Sequence, residues 1–190
     1  TLYNGITTDE LDKATMNAAV QNIKEDVEFD KVATRLLLKT VYRHVIGEYD
    51  KESAEDLKKK HRDHFLEYIE EGVMKNRLHP DMKFKFDLHA LADTLNIERD
   101  DFFQYAGLDG LINRYMIKGV DQNPVETPQY FFMRLAMGLS YHESNPTEAA
   151  KKFYSKMSHH EYIPGGSTNL AAGTTKPALS NCFLLEIHDD

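Results

Sequence analysis

The chain has 190 residues, 41% of them hydrophobic and 28% charged, which suits one medium globular domain, or one domain and the start of another. Its formal net charge of −8 argues against a general affinity for nucleic acid or for an anionic membrane, although helix N-termini and backbone amides can still hold a phosphate. A single cysteine, Cys182, excludes an internal disulfide framework and points to a reducing, cytoplasmic compartment.

The start, "TLYNGITTDEL", has neither a signal pattern nor an initiator Met, which suggests a trimmed or excised chain. No apolar run approaches the roughly 20 residues that span a bilayer. Thr7 and Glu10 have capping-box spacing and open a first helix carrying Leu11, Ala14, Ala18, Ala19 and Ile23. "DKVATRLLLKTVYRHVIGEY" reads as a second helix, with Asp30 as N-cap and Val32, Leu36, Val41 and Val45 toward a core. Ser53 and Asp56 open a third, whose apolar face is Leu57, Phe65, Tyr68, Ile69 and Val73 and whose Lys58–Lys60 run is solvated. "DLHALADTLNIERDDFFQYAGLDGLINRYMIKG" predicts one or two shorter helices and a turn around Gly107–Gly110. Thr127-Pro128 and Asn145-Pro146 with Glu148 each begin a further helix. After Tyr162 the composition shifts to Gly, Ser, Thr and Pro, so residues 163–181 read as loop, and "CFLLEI" reads as a short buried strand. A lone strand cannot satisfy its backbone, so the chain looks cut.

Composition and spacing single out few chemical groups. His61 and His64 could share a helix face, but no third metal ligand stands at suitable spacing. His159 and His160 sit where a helix should end and suit its negative dipole end. The Tyr130–Arg134 aromatics read as core. "PGGSTNLAAGT" could bring amides and hydroxyls to a phosphate, yet matches neither the P-loop nor the dinucleotide fingerprint. From the residues alone, the reading is a mostly helical domain with a possible anion-binding loop.

Taken together and in order, "ETPQYFFMRLAMGLS", "PTEAAKKFYSKMS" and "STNLAAGTTKPALSNCFLLEIHDD" resemble the catalytic large (α) subunit of class I ribonucleotide reductase. "LYNGITTDELDKA" and "YAGLDGLINRYMI" resemble further segments of that family, so the likeness covers nearly the whole chain and is most specific from Glu126 onward. It implies a mainly α fold: a helical domain over 1–162, then over 163–190 a loop and the first strand of a ten-stranded α/β barrel otherwise missing. Cys182 takes the position of one of two cysteines oxidised to a disulfide as the ribose 2′-hydroxyl leaves. Thr168, Ser167 and Asn181 fall where the substrate diphosphate is bound; Asn181 stands where relatives often carry Ser, and "GGST" departs from the commoner Ser/Thr-Pro-Thr. Asp190, or else Asp189, matches an acidic residue that binds the sugar hydroxyl of an allosteric effector.

The resemblance further implies no cofactor bound directly by these residues. A radical cofactor would reside in a separate metal-containing β (small) subunit, with dNTP and ATP as effectors. The partners implied are that β subunit, a second α subunit, and thioredoxin or glutaredoxin. Lacking the radical cysteine and the second redox cysteine, residues 1–190 alone are expected to be inactive. Two other readings stand beside this one: a piece of an adenosylcobalamin-dependent class II reductase, and a split-gene interaction module that completes its strand with a second chain.

Overall fold

The computed structural model describes residues 5–47, 53–182, 184 and 185. They form α1 (Thr8–Asn22), α2 (Glu28–Ile46), α3 (Ala54–Met74), α4 (Asp81–Phe84), α5 (Leu88–Ala92), a 3-10 helix (Ile97–Phe102), α6 (Tyr105–Arg114), α7 (Pro128–Ser140), α8 (Pro146–Ser158) and α9 (Gly166–Ala171). The mainly α architecture is thus present. No described helix is long and apolar enough to cross a membrane.

Short-range chemistry starts most of these helices. Both capping boxes form, Thr7 with Glu10 and Ser53 with Asp56. The Thr127 hydroxyl accepts from the Tyr130 amide ahead of Pro128, and Asn145 accepts from the Glu148 amide ahead of Pro146. Each satisfies an amide that the helix itself leaves unpaired.

α7 is the axis of the fold. Every residue from Pro128 to Met137 is buried, the pattern of a helix enclosed on all sides. α8 lies along it through Ala150, Tyr154 and Met157, while α2 and α3 add Leu38, Val41, Phe65 and Ile69 to the same core.

Several expected details differ. α2 begins at Glu28, not at Asp30; the Asp30 carboxylate instead accepts from the Tyr105 amide at the start of α6, at 3.3 Å. Val32 is exposed, and the face turned inward carries Ala33, Thr34, Leu37 and Leu38. In α1 only Ala19 of the expected apolar set is buried. That helix packs against α2, and the Asp12–Arg43 ion pair of 2.7 Å joins the two.

Gly107 and Gly110 lie inside α6 rather than in a turn. Two glycines cost a helix about 2 kcal/mol, and burial of Leu108 and Ile112 on its inner face offsets a cost of that size. Residues 163–181 are not all loop, because Gly166–Ala171 is helical. The strand expected to start at Cys182 is not formed at Cys182, Leu184 or Leu185, and all three are exposed. Among the described residues no neighbouring strand offers an edge for its hydrogen bonds. Phe183, Glu186 and Ile187 lie outside those residues.

Candidate functional site

The Gly-rich segment after Ile163 is fixed to the core by one buried side chain. Arg134, two turns into α7, is fully enclosed and meets Glu126, which is equally enclosed. Nε and Nη2 each donate to a Glu126 oxygen at 2.9 Å. The same carboxylate accepts from the Tyr68 hydroxyl at 2.6 Å and the Ile117 amide at 2.7 Å. Each oxygen therefore takes two donors, the compensation a buried carboxylate needs. Burial opposes the guanidinium charge, but Glu126 beside it holds Arg134 above its ordinary pKa.

The rest of the guanidinium faces the segment. Nη1 donates to the Ala172 carbonyl at 2.7 Å, and Nη2 lies 3.4 Å from the carbonyls of Asn169 and Tyr115. A planar fork can serve a carboxylate on one edge and carbonyls on the other, which an ammonium cannot. Backbone contact completes the attachment. Gly173 has φ +78° and packs against Gly138 so tightly that a Cβ on Gly138 would sit 2.1 Å from the Gly173 nitrogen. The Gly173 carbonyl accepts from the His79 amide at 3.0 Å.

Gly138→Ala is accordingly expected to lift the Ala172–Gly173 peptide off α7 and destabilise the chain by about 1–3 kcal/mol, the usual range for overpacking. Urea unfolding would measure it; an unchanged midpoint would mean the two backbones are not in contact.

The clamp positions most of the residues expected to act. Asn181 Oδ1 accepts from the Ser167 amide at 2.9 Å, and the Thr168 hydroxyl donates to the Leu179 carbonyl at 3.1 Å. A Cβ on Gly165 would stand 2.2 Å from Asn181 Nδ2, so a larger residue there would turn the Asn181 side chain aside. Ser167 thus meets Asn181 directly, although 14 residues separate them, while Thr168 is tied to Leu179. Cys182 follows directly and its thiol is free and exposed. Asp189 and Asp190 lie outside the described residues.

Sequence reading missed the buried roles of three groups. Glu126 is the first; it opens the "ETPQYFFMR" segment, eight positions before Arg134, but its pairing with that arginine went unread. Asp100 is the second. It is buried in the 3-10 helix, accepting from the Tyr42 hydroxyl and from Gln129 Nε2, while Gln129 Oε1 accepts from the Tyr154 hydroxyl at 2.5 Å. Burial pushes its carboxyl up to about 7, against the hydrogen bonds from Gln129 and Tyr42. His61 is the third. Its Nε2 pairs with the Thr127 hydroxyl at 2.9 Å and its Nδ1 has no partner. Burial, with His64 nearby, pushes it down to about 3. His61 thus stands behind the cap of α7, and among the described residues no three His, Cys, Asp or Glu side chains gather as a metal site.

Residues 101–177 match the family model described as "Ribonucleotide reductase, all-alpha domain", a span that includes Glu126, Arg134, Asn169 and Gly173. The chain is 39% identical over 188 residues to the ribonucleoside-diphosphate reductase subunit alpha of Chlamydia trachomatis serovar D, covering 99% of this chain and 18% of that protein. It is 35% identical over 180 residues to the subunit alpha of Helicobacter pylori, covering 94% of this chain and 21% of that protein. With the large subunit of Arabidopsis thaliana it shares 26% over 192 residues, 100% of this chain and 23% of the relative. The chain thus spans about a fifth of the length of the curated relatives it matches.

Proposed function

Because the chain belongs to the ribonucleoside-diphosphate reductase α-subunit family, we propose that it serves the reduction of ribonucleoside diphosphates to deoxyribonucleotides. Residues 1–162 are its helical domain, and residues 163–190 bring a substrate loop and the first redox thiol to a catalytic barrel. In the overall balance two thiols lose two hydrogens and become a disulfide; the substrate loses its 2′-hydroxyl as water and gains hydrogen at C2′. Cys182 supplies one of those thiols.

The observation that carries this reading is the geometry around Cys182. The thiol is free of any disulfide, as a group that is oxidised during turnover must be at the start of the cycle. Beside it the Ser167 amide is held by Asn181 Oδ1, an acceptor that a diphosphate oxygen would replace. The Thr168 hydroxyl, which donates to the Leu179 carbonyl in this structure, would turn that proton to a diphosphate oxygen. Asp190, or else Asp189, is assigned to the effector sugar by family position.

Partners follow from the same reading: a β subunit that holds the radical cofactor, a second α subunit, and thioredoxin or glutaredoxin as reductant, with dNTP and ATP as effectors. The cobalamin-dependent alternative has less support, since the relatives are named as α or large subunits.

The test is Cys182→Ser in the complete enzyme assembled with its β subunit and thioredoxin. Steady turnover should fall at least about tenfold, a loss of 1.4 kcal/mol or more in transition-state stabilisation, while nucleotide binding stays intact. Steady turnover at the parental rate would remove Cys182 from the redox role.

A further inference from the structure

A cavity of about 500 Å³ opens between the end of the 3-10 helix, α6, α7 and the segment after α8. That is the size of a small-ligand site. Its walls are largely aromatic. Phe103 and Phe132 stack nearly parallel at 11°, with ring centroids 6.1 Å apart, and the His160 ring meets Phe103 edge-on at 4.6 Å. One wall is smooth, because Gly107 and Gly110 line it and neither has an atom within 4 Å of where a Cβ would stand. Packing within this chain therefore does not demand glycine there, although glycine is unfavourable in a helix. What the two glycines provide is the space itself.

The charge of the cavity is unusual for this protein. The net charge is −8, and clefts along α3 mix both signs, Glu67 and Glu71 with Lys75 and Arg77, or Asp56 and Asp63 with Lys59 and Lys60. This cavity has no carboxylate in its lining and has Arg114 at its edge. Arg114 forms no ion pair or hydrogen bond among the described residues. The negative end of α6 accounts for a cation in its last turn, but not for the absence of acidic groups from the surrounding wall.

We propose that this cavity binds a small planar aromatic anion, the ring between the Phe103–Phe132 pair and the glycine face of α6, the anionic group on Arg114. This goes beyond the reductase reading and does not depend on it. Flat rings gain most against aromatic walls, and an arginine without a competing acid is free to form a charge-assisted fork with a carboxylate.

The probe is 2-naphthoate, compared with neutral 2-naphthalenemethanol and non-aromatic cyclohexanecarboxylate, titrated into the complete subunit that carries this chain by calorimetry and ligand-observed NMR. For a ligand of this size a Kd on the order of 0.1–1 mM is expected for 2-naphthoate. Both controls should bind about tenfold more weakly, and Arg114→Ala should cost 2-naphthoate a similar factor. Gly107→Leu is the second variant: it fills the cavity while raising helix propensity, so binding should vanish with Tm unchanged or higher. Absence of saturation by about 5 mM, well above the expected Kd, overturns the proposal. So does binding that survives Gly107→Leu or is indifferent to Arg114→Ala. Concentration-dependent self-association abolished by Gly107→Leu would identify the face as a contact between copies of the chain and equally overturn it.

Discussion

Arg134→Met is expected to destabilise the chain by about 3–5 kcal/mol, the cost of breaking a buried ion pair on one side. Methionine fills much of the stem's volume, so the loss is electrostatic. Glu126 remains enclosed with only the Tyr68 hydroxyl and the Ile117 amide as donors. The carbonyls of Ala172 and Asn169 lose their donor as well. Removing both charges together, as Glu126→Gln with Arg134→Met, should recover a substantial part of that loss, because no uncompensated charge is left inside. Arg134→Lys should not recover it, since one ammonium cannot span the carboxylate and the carbonyls. Urea denaturation of the two single variants and the double gives the coupling as a cycle. Limited proteolysis should show cleavage within residues 163–182 first, where the clamp had held the segment. If Arg134→Met lies within about 1 kcal/mol of the parent, the size of a surface pair, the pair is not the anchor described.

The same clamp explains which motifs could be read as one unit and which parts stayed hidden. Thr7 with Glu10, Ser53 with Asp56, Thr127 before Pro128 and Asn145 before Pro146 were legible because each partner lies within three residues. Their chemistry is local, so sequence spacing contains it. The pairings of Glu126, Asp100 and His61 were illegible for the opposite reason. Tyr68 to Glu126 spans 58 residues, Tyr42 to Asp100 58, and His61 to Thr127 66. No periodicity encodes such meetings. His61 also shares a helix with the charged Lys58–Lys60 run, which hid that it faces the core. Gly107 and Gly110 misled in another way: the local preference for a turn was real, but burial of Leu108 and Ile112 decided the outcome. The resemblance placed Ser167, Thr168, Asn181 and Cys182 as a set, but not the fork from Arg134 that supports the segment carrying them.

The hidden groups also set a second large expectation. Between about pH 4.5 and 6.5 two large contributions oppose each other in the parent, and two single variants should slope in opposite directions. Asp100 is raised from 3.8 to about 7 in the fold. The folded state therefore holds a proton that the unfolded chain releases, and this contribution is present below pH 3.8 and lost as pH rises through 7. His61 is lowered from 6.5 to about 3. Here the unfolded chain takes the proton first, so the contribution is present above pH 6.5 and lost as pH falls toward 3. Inside the shared window each slope approaches about 1.4 kcal/mol per pH unit, with opposite sign. His64 and His160, also lowered by burial, add in the direction of His61, with less weight because solvent screens them. Asp100→Asn removes the falling slope and should leave a chain that loses roughly 2–3 kcal/mol between pH 6.5 and 4.5. His61→Gln removes the rising slope and should leave one that loses stability over the same interval taken upward. Urea midpoints at closely spaced pH values distinguish the two. Parallel profiles for both variants would mean that neither group is held in the protonation state its burial dictates. Opposed profiles would show a carboxylic acid and a neutral imidazole balancing each other across a core whose central helix holds the Gly-rich segment.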